Sequence, residues 1–104
     1  MATDGFDPVI HPPPVLRICA FLEPVREEDF VALRDLLGTS DSTLNHQLET
    51  LAAAHYIDQW RFKRMGRNTV RIALSASGRR AFRAHLAALE RLVEATPEQR
   101  SRNA

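Results

Sequence analysis

Apolar side chains recur along this chain in two rhythms. Through the first half they return every three or four residues, the spacing of one helical face; from Trp60 to Leu74 they alternate with polar ones, as in a half-buried strand. Val15, Leu16, Ile18, Cys19 and Leu22 form a first helical stripe. It starts at Pro13 and Pro14, where a missing N–H costs nothing, and stops before Pro24. Phe30, Leu33, Leu36 and Leu37 predict a second helix over Asp29–Leu37, with Gly38 placed for a left-handed C-terminal cap. Ser40 suits the N-cap of a third helix, and Asp41 suits its first turn. Leu44, Leu48 and Leu51 mark that helix's buried face, and it ends near His55. Ser42, His46, Glu49 and Ala53 then point outward, flanked by Thr43, Asn45 and Thr50. A last helix starts at Ser75 or Ser77 and runs through Glu94, with Phe82, Leu86, Leu89 and Val93 at near-heptad spacing.

The alternating segment predicts a hairpin. Trp60 and Phe62 alternate with Arg61 and Lys63; Val70, Ile72 and Leu74 alternate with Arg71 and Ala73; Met65-Gly66-Arg67-Asn68 supplies the turn. The apolar residues of both arms are expected to share one face over the core, leaving Arg61, Lys63 and Arg71 together on the other. Like charges on one face of a ribbon are mildly destabilising, and a neutralising partner would offset that. The charge map strengthens the point. The formal net charge is only +1, but Met1 to Trp60 holds three bases and ten acids, whereas Arg61 to Arg83 holds eight bases and no acid. So lopsided a distribution suggests an anionic partner met on one face. A preference for arginine explains why Lys63 is the one lysine, but not why acids are missing.

At 104 residues the chain is one small domain, expected as an N-terminal arm (1–12), the folded unit (13–95) and a flexible tail (96–104). Phe6, Val9 and Ile10 are the candidates to dock the arm. No apolar run is long enough to span a bilayer, and no charged start followed by an apolar block marks a secretory signal. Cys19 has no intrachain partner, and its place on an apolar stripe points to a buried, inert thiol. A cytoplasmic location follows as the expectation. His11, His46, His55 and His85 have no carboxylate or cysteine partners at metal-ligand spacing, and no glycine-rich phosphate loop occurs. Neither enzymatic activity, nor a metal, nor a cofactor is expected.

The chain resembles bacterial winged-helix transcriptional regulators, especially the short single-domain proteins related to the MarR and ArsR groups. The resemblance spans Phe6 to about Leu92. It rests on Asp7-Pro8-Val9-Ile10-His11, Phe30 to Gly38, Ser40 to Leu51, Ala54-His55-Tyr56-Ile57, and Arg71 to Arg79, in that order and spacing. It implies an α+β, mainly α fold: a winged helix-turn-helix with a two-stranded wing and a C-terminal dimerisation helix. It also implies repression or activation of transcription. Where relatives commonly show serine, a base and histidine after the first buried leucine of the probe helix, this chain has Asn45, His46 and Gln47, and Glu49 stands where a base often follows. The cysteine pairs of the metal-sensing ArsR branch are absent.

On this reading the probe helix, 41–54, enters the major groove of double-stranded DNA, and Ser42, Thr43, Asn45 and His46 reach base edges. Ser42 and Thr43 are equally suited to capping their own helix. The basic wing, 58–74, meets the backbone or minor groove: Arg64, Arg67 and Asn68 at the tip, Arg61, Lys63 and Arg71 on phosphates. Phe82, Leu86, Leu89 and Val93 are the expected contacts of a homodimer. Two other readings stay open. One is a protein-docking module whose acidic half meets a basic partner; the other is a regulator with a small effector in the dimer cleft, near Trp60 or the first helix.

Overall fold

The computed structural model describes residues 5–95. In chain order the elements are α1 (Pro13–Leu22), β1 (Glu28–Asp29), α2 (Phe30–Leu37), α3 (Asp41–Ala53), β2 (Ile57–Arg64), β3 (Arg67–Leu74) and α4 (Ala76–Glu94). The expected tail, 96–104, lies outside the described residues.

Local chemistry sets most of the boundaries. The Asp29 carboxylate caps α2 by accepting from the Val31 and Ala32 N–H groups at 2.9 and 3.3 Å. Gly38, at φ 64°, closes α2: its N–H and that of Thr39 donate back to the Asp35 and Arg34 carbonyls. Ser40 and Ser75 cap α3 and α4, accepting from the Thr43 and Gly78 N–H groups. The α3 helix ends at Ala53, and His55 takes the left-handed position (φ 62°) usually held by glycine, with Tyr56 N–H donating to the Leu51 carbonyl at 2.9 Å.

One core joins these elements. Val15, Ile18, Cys19 and Leu22 of α1 meet Leu33 of α2, Leu44, Leu48 and Leu51 of α3, and Phe82 of α4. Ile57, Ile72 and Leu74 close it from the sheet, and Ile10 of the arm is wholly buried with them. Burial pushes the Cys19 thiol up to about 12, so it is a packing group and not a nucleophile.

The sheet departs from expectation in two ways. It has three strands, in the antiparallel order β1-β3-β2, because Glu28 and Asp29 pair with Ile72 and Arg71. The hairpin's faces also differ. Arg64 pairs with Arg67, so the loop is the two residues Met65 and Gly66, both at positive φ (50° and 78°), the mark of a type I′ turn. With an even-membered loop, facing partners have opposite parity in number. Ile57, Gln59, Arg61 and Lys63 therefore share a face with Leu74, Ile72, Val70 and Asn68. Trp60 and Phe62 stand on the opposite face, beside Arg71 and Thr69, and are 37% and 46% exposed. The shared apolar face expected for both arms does not form, and Arg71 does not join Arg61 and Lys63.

Candidate nucleic-acid interface

The outward stripe of α3 is Ser42, Asn45, His46 and Glu49, all exposed and at spacings of three and four on the side opposite its buried leucines. Thr43 lies off this stripe. Its N–H donates to Ser40 Oγ at 3.2 Å, and its hydroxyl accepts from the Ser40 hydroxyl at 2.9 Å, so its side chain is held against the N-cap residue. Asn45 borders a cleft of about 560 Å³ between α3 and the hairpin, lined also by Phe30, Gln59, Trp60, Arg61 and Val70. The hairpin face carrying Arg61, Lys63 and Asn68 is the one that, nearer its base, delivers Ile57, Ile72 and Leu74 to the core. It is turned toward the helices. The structure thus brings Asn45 and Arg61 to one cleft from elements far apart in sequence.

The bases of the second half divide sharply. Arg71 pairs with Glu27 at 3.0 Å; Arg79 and Arg83 pair with Glu23 at 3.2 and 2.8 Å. Arg61, Lys63, Arg64 and Arg67 make no ion pair among the described residues. Four of the five bases from Arg61 to Arg83 left without an ion pair among the described residues thus lie on the outer half of the wing, the fifth being Arg80 of α4. The acids of the first half are largely engaged as well. Asp35 and Asp41 bind Arg34 at 3.0 and 2.8 Å, Glu23 and Glu27 hold arginines, Glu28 accepts from the Asp29 N–H, and Asp29 caps α2. Of these acids only Glu23 and Glu27 neutralise bases of the second half, whereas Asp35 and Asp41 hold Arg34 and the outer wing keeps its bases unpaired among the described residues.

The segment joining α3 to the wing is clamped from several sides. The Tyr56 hydroxyl donates to Asp7 Oδ2 at 2.5 Å, which holds the phenol up to about 12. The His55 carbonyl accepts from the Ser75 and Ser77 hydroxyls at 2.7 and 2.9 Å. The Tyr56 carbonyl accepts from the Ser75 N–H at 2.9 Å, with Gly78 directly against it. Asp7 itself is fixed to α4: its N–H donates to Nδ1 of the fully buried His85, whose Nε2 lies 3.2 Å from His11 Nδ1. Since His85 Nδ1 accepts, its proton sits on Nε2 and is donated to His11, and the ring is neutral. Burial first, and then His11, push His85 below its usual 6.5, with Asp7 opposing. Sequence spacing could not reveal this network, because Asp7 and His85 lie 78 positions apart. It ties the arm and the junction between α3 and β2 to α4.

The stripe of α4 divides too. Phe82, expected as a dimer contact, is 4% exposed and belongs to the chain's own core, since it faces inward with Gly78, His85 and Ala88. Leu86 and Val93 are exposed, and Leu89 is half-buried.

A family model described as a winged helix DNA-binding domain matches residues 15–93. Among solved structures, that of a transcriptional regulator homologue from Pyrococcus horikoshii OT3 is similar, with a TM-score of 0.80, 17% identity, and coverage of 86% of this chain and 88% of that one. The likeness is one of fold. Among curated proteins, no sequence matches this chain.

Proposed function

The chain belongs to the winged helix DNA-binding domain family, and from that premise we propose that it is a sequence-specific regulator of transcription. In this reading α3 lies in the major groove, with Ser42, Asn45 and His46 toward base edges, and the wing follows the backbone toward the minor groove. Thr43, exposed beside this stripe and hydrogen-bonded to the Ser40 hydroxyl, completes the set of candidate base contacts. The observation that carries the proposal is the α3–wing cleft, with Asn45 on one wall, Arg61 on the other, and three more bases along the wing beyond it, all four without an ion pair among the described residues. The α3 helix has no lysine or arginine and holds Asp41 and Glu49, so the wing supplies most of the attraction and α3 most of the discrimination.

The rival docking module is disfavoured by the same charge map. Seven acids of the first half (Asp7, Glu23, Glu27, Glu28, Asp29, Asp35 and Asp41) already have intrachain partners, which leaves little to meet a basic protein. A homodimer through Leu86, Leu89 and Val93 completes the proposal and would present two probe helices to a two-fold DNA site. Kinship with the MarR and ArsR groups, and a cytoplasmic bacterial setting, agree with the sequence resemblance.

Selection of duplexes from a random library tests the reading. The wild-type protein should enrich a defined motif, and Asn45→Ala should change the preference at one base pair by about 1–3 kcal/mol. Enrichment of the same motif by Asn45→Ala, at unchanged stringency, would remove Asn45 from the reading surface.

A further inference from the structure

The tip of the wing has a composition at odds with its position. Met65 is 93% exposed, far above every other large hydrophobic residue described. It occupies the first place of a type I′ turn at φ 50°, where asparagine, aspartate or glycine is favoured and a long unbranched side chain is held at a steric cost. Beside it the last rung of the ladder pairs Arg64 with Arg67, neither of them ion-paired. A thioether in solvent, in an unfavourable backbone conformation and flanked by two free guanidiniums, breaks local rules three times in one place. Such coincidences mark functional sites.

We propose that Met65 is an apolar wedge that enters the minor groove of bound duplex DNA and partly unstacks one base step, bending the duplex. The proposal rests on the DNA-binding reading above and names what the wing tip does there. A minor groove about 6 Å wide is too narrow for a whole two-stranded ribbon but admits a single extended side chain at its tip. Ile72, the nearest fully buried residue of β3, lies six positions beyond Gly66, so the tip stands roughly 20 Å out from the core. Arg64 and Arg67 supply the cations that a narrow, negative minor groove attracts. Between them the methionine side chain, long and unbranched, is of the type that inserts between base pairs. A protein pocket is a poorer match, because Arg64, Gly66 and Arg67 around Met65 offer no apolar surface to extend the contact. Flexible pyrimidine–purine steps are the cheapest to open, so the wedge would also favour such a step without any hydrogen bond to it.

The test uses the full chain and a duplex that the wild-type protein enriches from a random library, labelled at both ends for energy transfer and carrying 2-aminopurine at successive positions. Wild type should bend it by about 20–90° and brighten 2-aminopurine at one position. Met65→Leu should keep both signals. Met65→Asn, which suits the turn, should keep salt-dependent binding but lose the brightening and the bend. If wild type binds without either signal, or Met65→Asn retains them, or Met65→Leu loses them, the wedge is refuted and DNA binding stands. Failure to enrich any duplex would overturn DNA binding itself, and the wedge with it.

Discussion

Replacing Gly78 with alanine tests how α4 is seated, because two effects of opposite sign compete there. Gly78 lies in the first turn of a 19-residue helix. By helix propensity alone, alanine would stabilise by about 1 kcal/mol. A Cβ at this position, however, would stand 2.0 Å from the Tyr56 carbonyl oxygen and 2.8 Å from its carbon. Ordinary contacts of this kind need about 3.3 Å, so the helix must retreat by more than an ångström from backbone that cannot rotate aside. Overpacking typically costs 1–3 kcal/mol. The retreat also weakens the Ser75 N–H bond to Tyr56 and the Ser75 hydroxyl bond to His55, each worth about 1 kcal/mol. The clash wins: we expect net destabilisation of about 2 kcal/mol, which lowers Tm by roughly 10 °C. Thermal and urea unfolding followed by circular dichroism would measure it, with exposed Arg80→Ala as a control expected to stay within about 0.5 kcal/mol. Because Tyr56 links α3 to the wing, affinity for DNA should also fall by more than it does in equally destabilising core variants. A Gly78→Ala protein as stable as wild type would show that α4 does not rest on the Tyr56 carbonyl.

Other consequences follow from the buried network and the outer stripe of α4. His85 takes up a proton less readily folded than unfolded, so its contribution to stability is complete above its ordinary 6.5 and is lost as pH falls from there through its depressed folded value. Urea midpoints should drop from neutral pH to about pH 5, and His85→Gln should flatten the drop; a midpoint that rises on acidification would contradict the neutral, accepting ring. Leu86→Glu combined with Val93→Glu should leave the fold intact, since both side chains are exposed, and should yield monomers in sedimentation that bind DNA more weakly. A double variant still dimeric would place the dimer contact elsewhere.

What could be read from the chain was local. Helices α1 to α3 were legible from apolar spacing, and their ends from Pro13, Asp29, Gly38 and Ser40, because capping and periodicity act within a few residues. The pairing of faces in the hairpin was not. Alternation in Trp60–Lys63 and in Val70–Leu74 looks alike on either register, and only the two-residue loop at Met65 and Gly66 decides which arm's apolar residues meet the core. Strand β1 is two residues long and has no period to detect. Arg71 looked free because Glu27 lies 44 positions away. Phe82 looked available because a stripe on a helix does not say whether its partner is the same chain or another. For the candidate site, exposed positions on α3 and bases on the wing were legible, whereas their meeting at one cleft and the clamp through Asp7 and His85 depend on long-range packing.

The central claim is that an anionic duplex meets the unpaired bases of the wing. Affinity for the selected duplex, measured over a range of salt concentrations, tests it most directly. Each phosphate contacted contributes a slope of about −0.9 in log K against log salt. Arg61, Lys63, Arg64 and Arg67 therefore predict about −3 to −4 for each domain bound, and replacing Lys63 by alanine should remove about one unit. A slope near zero, or one unchanged when all four are replaced, would contradict the account.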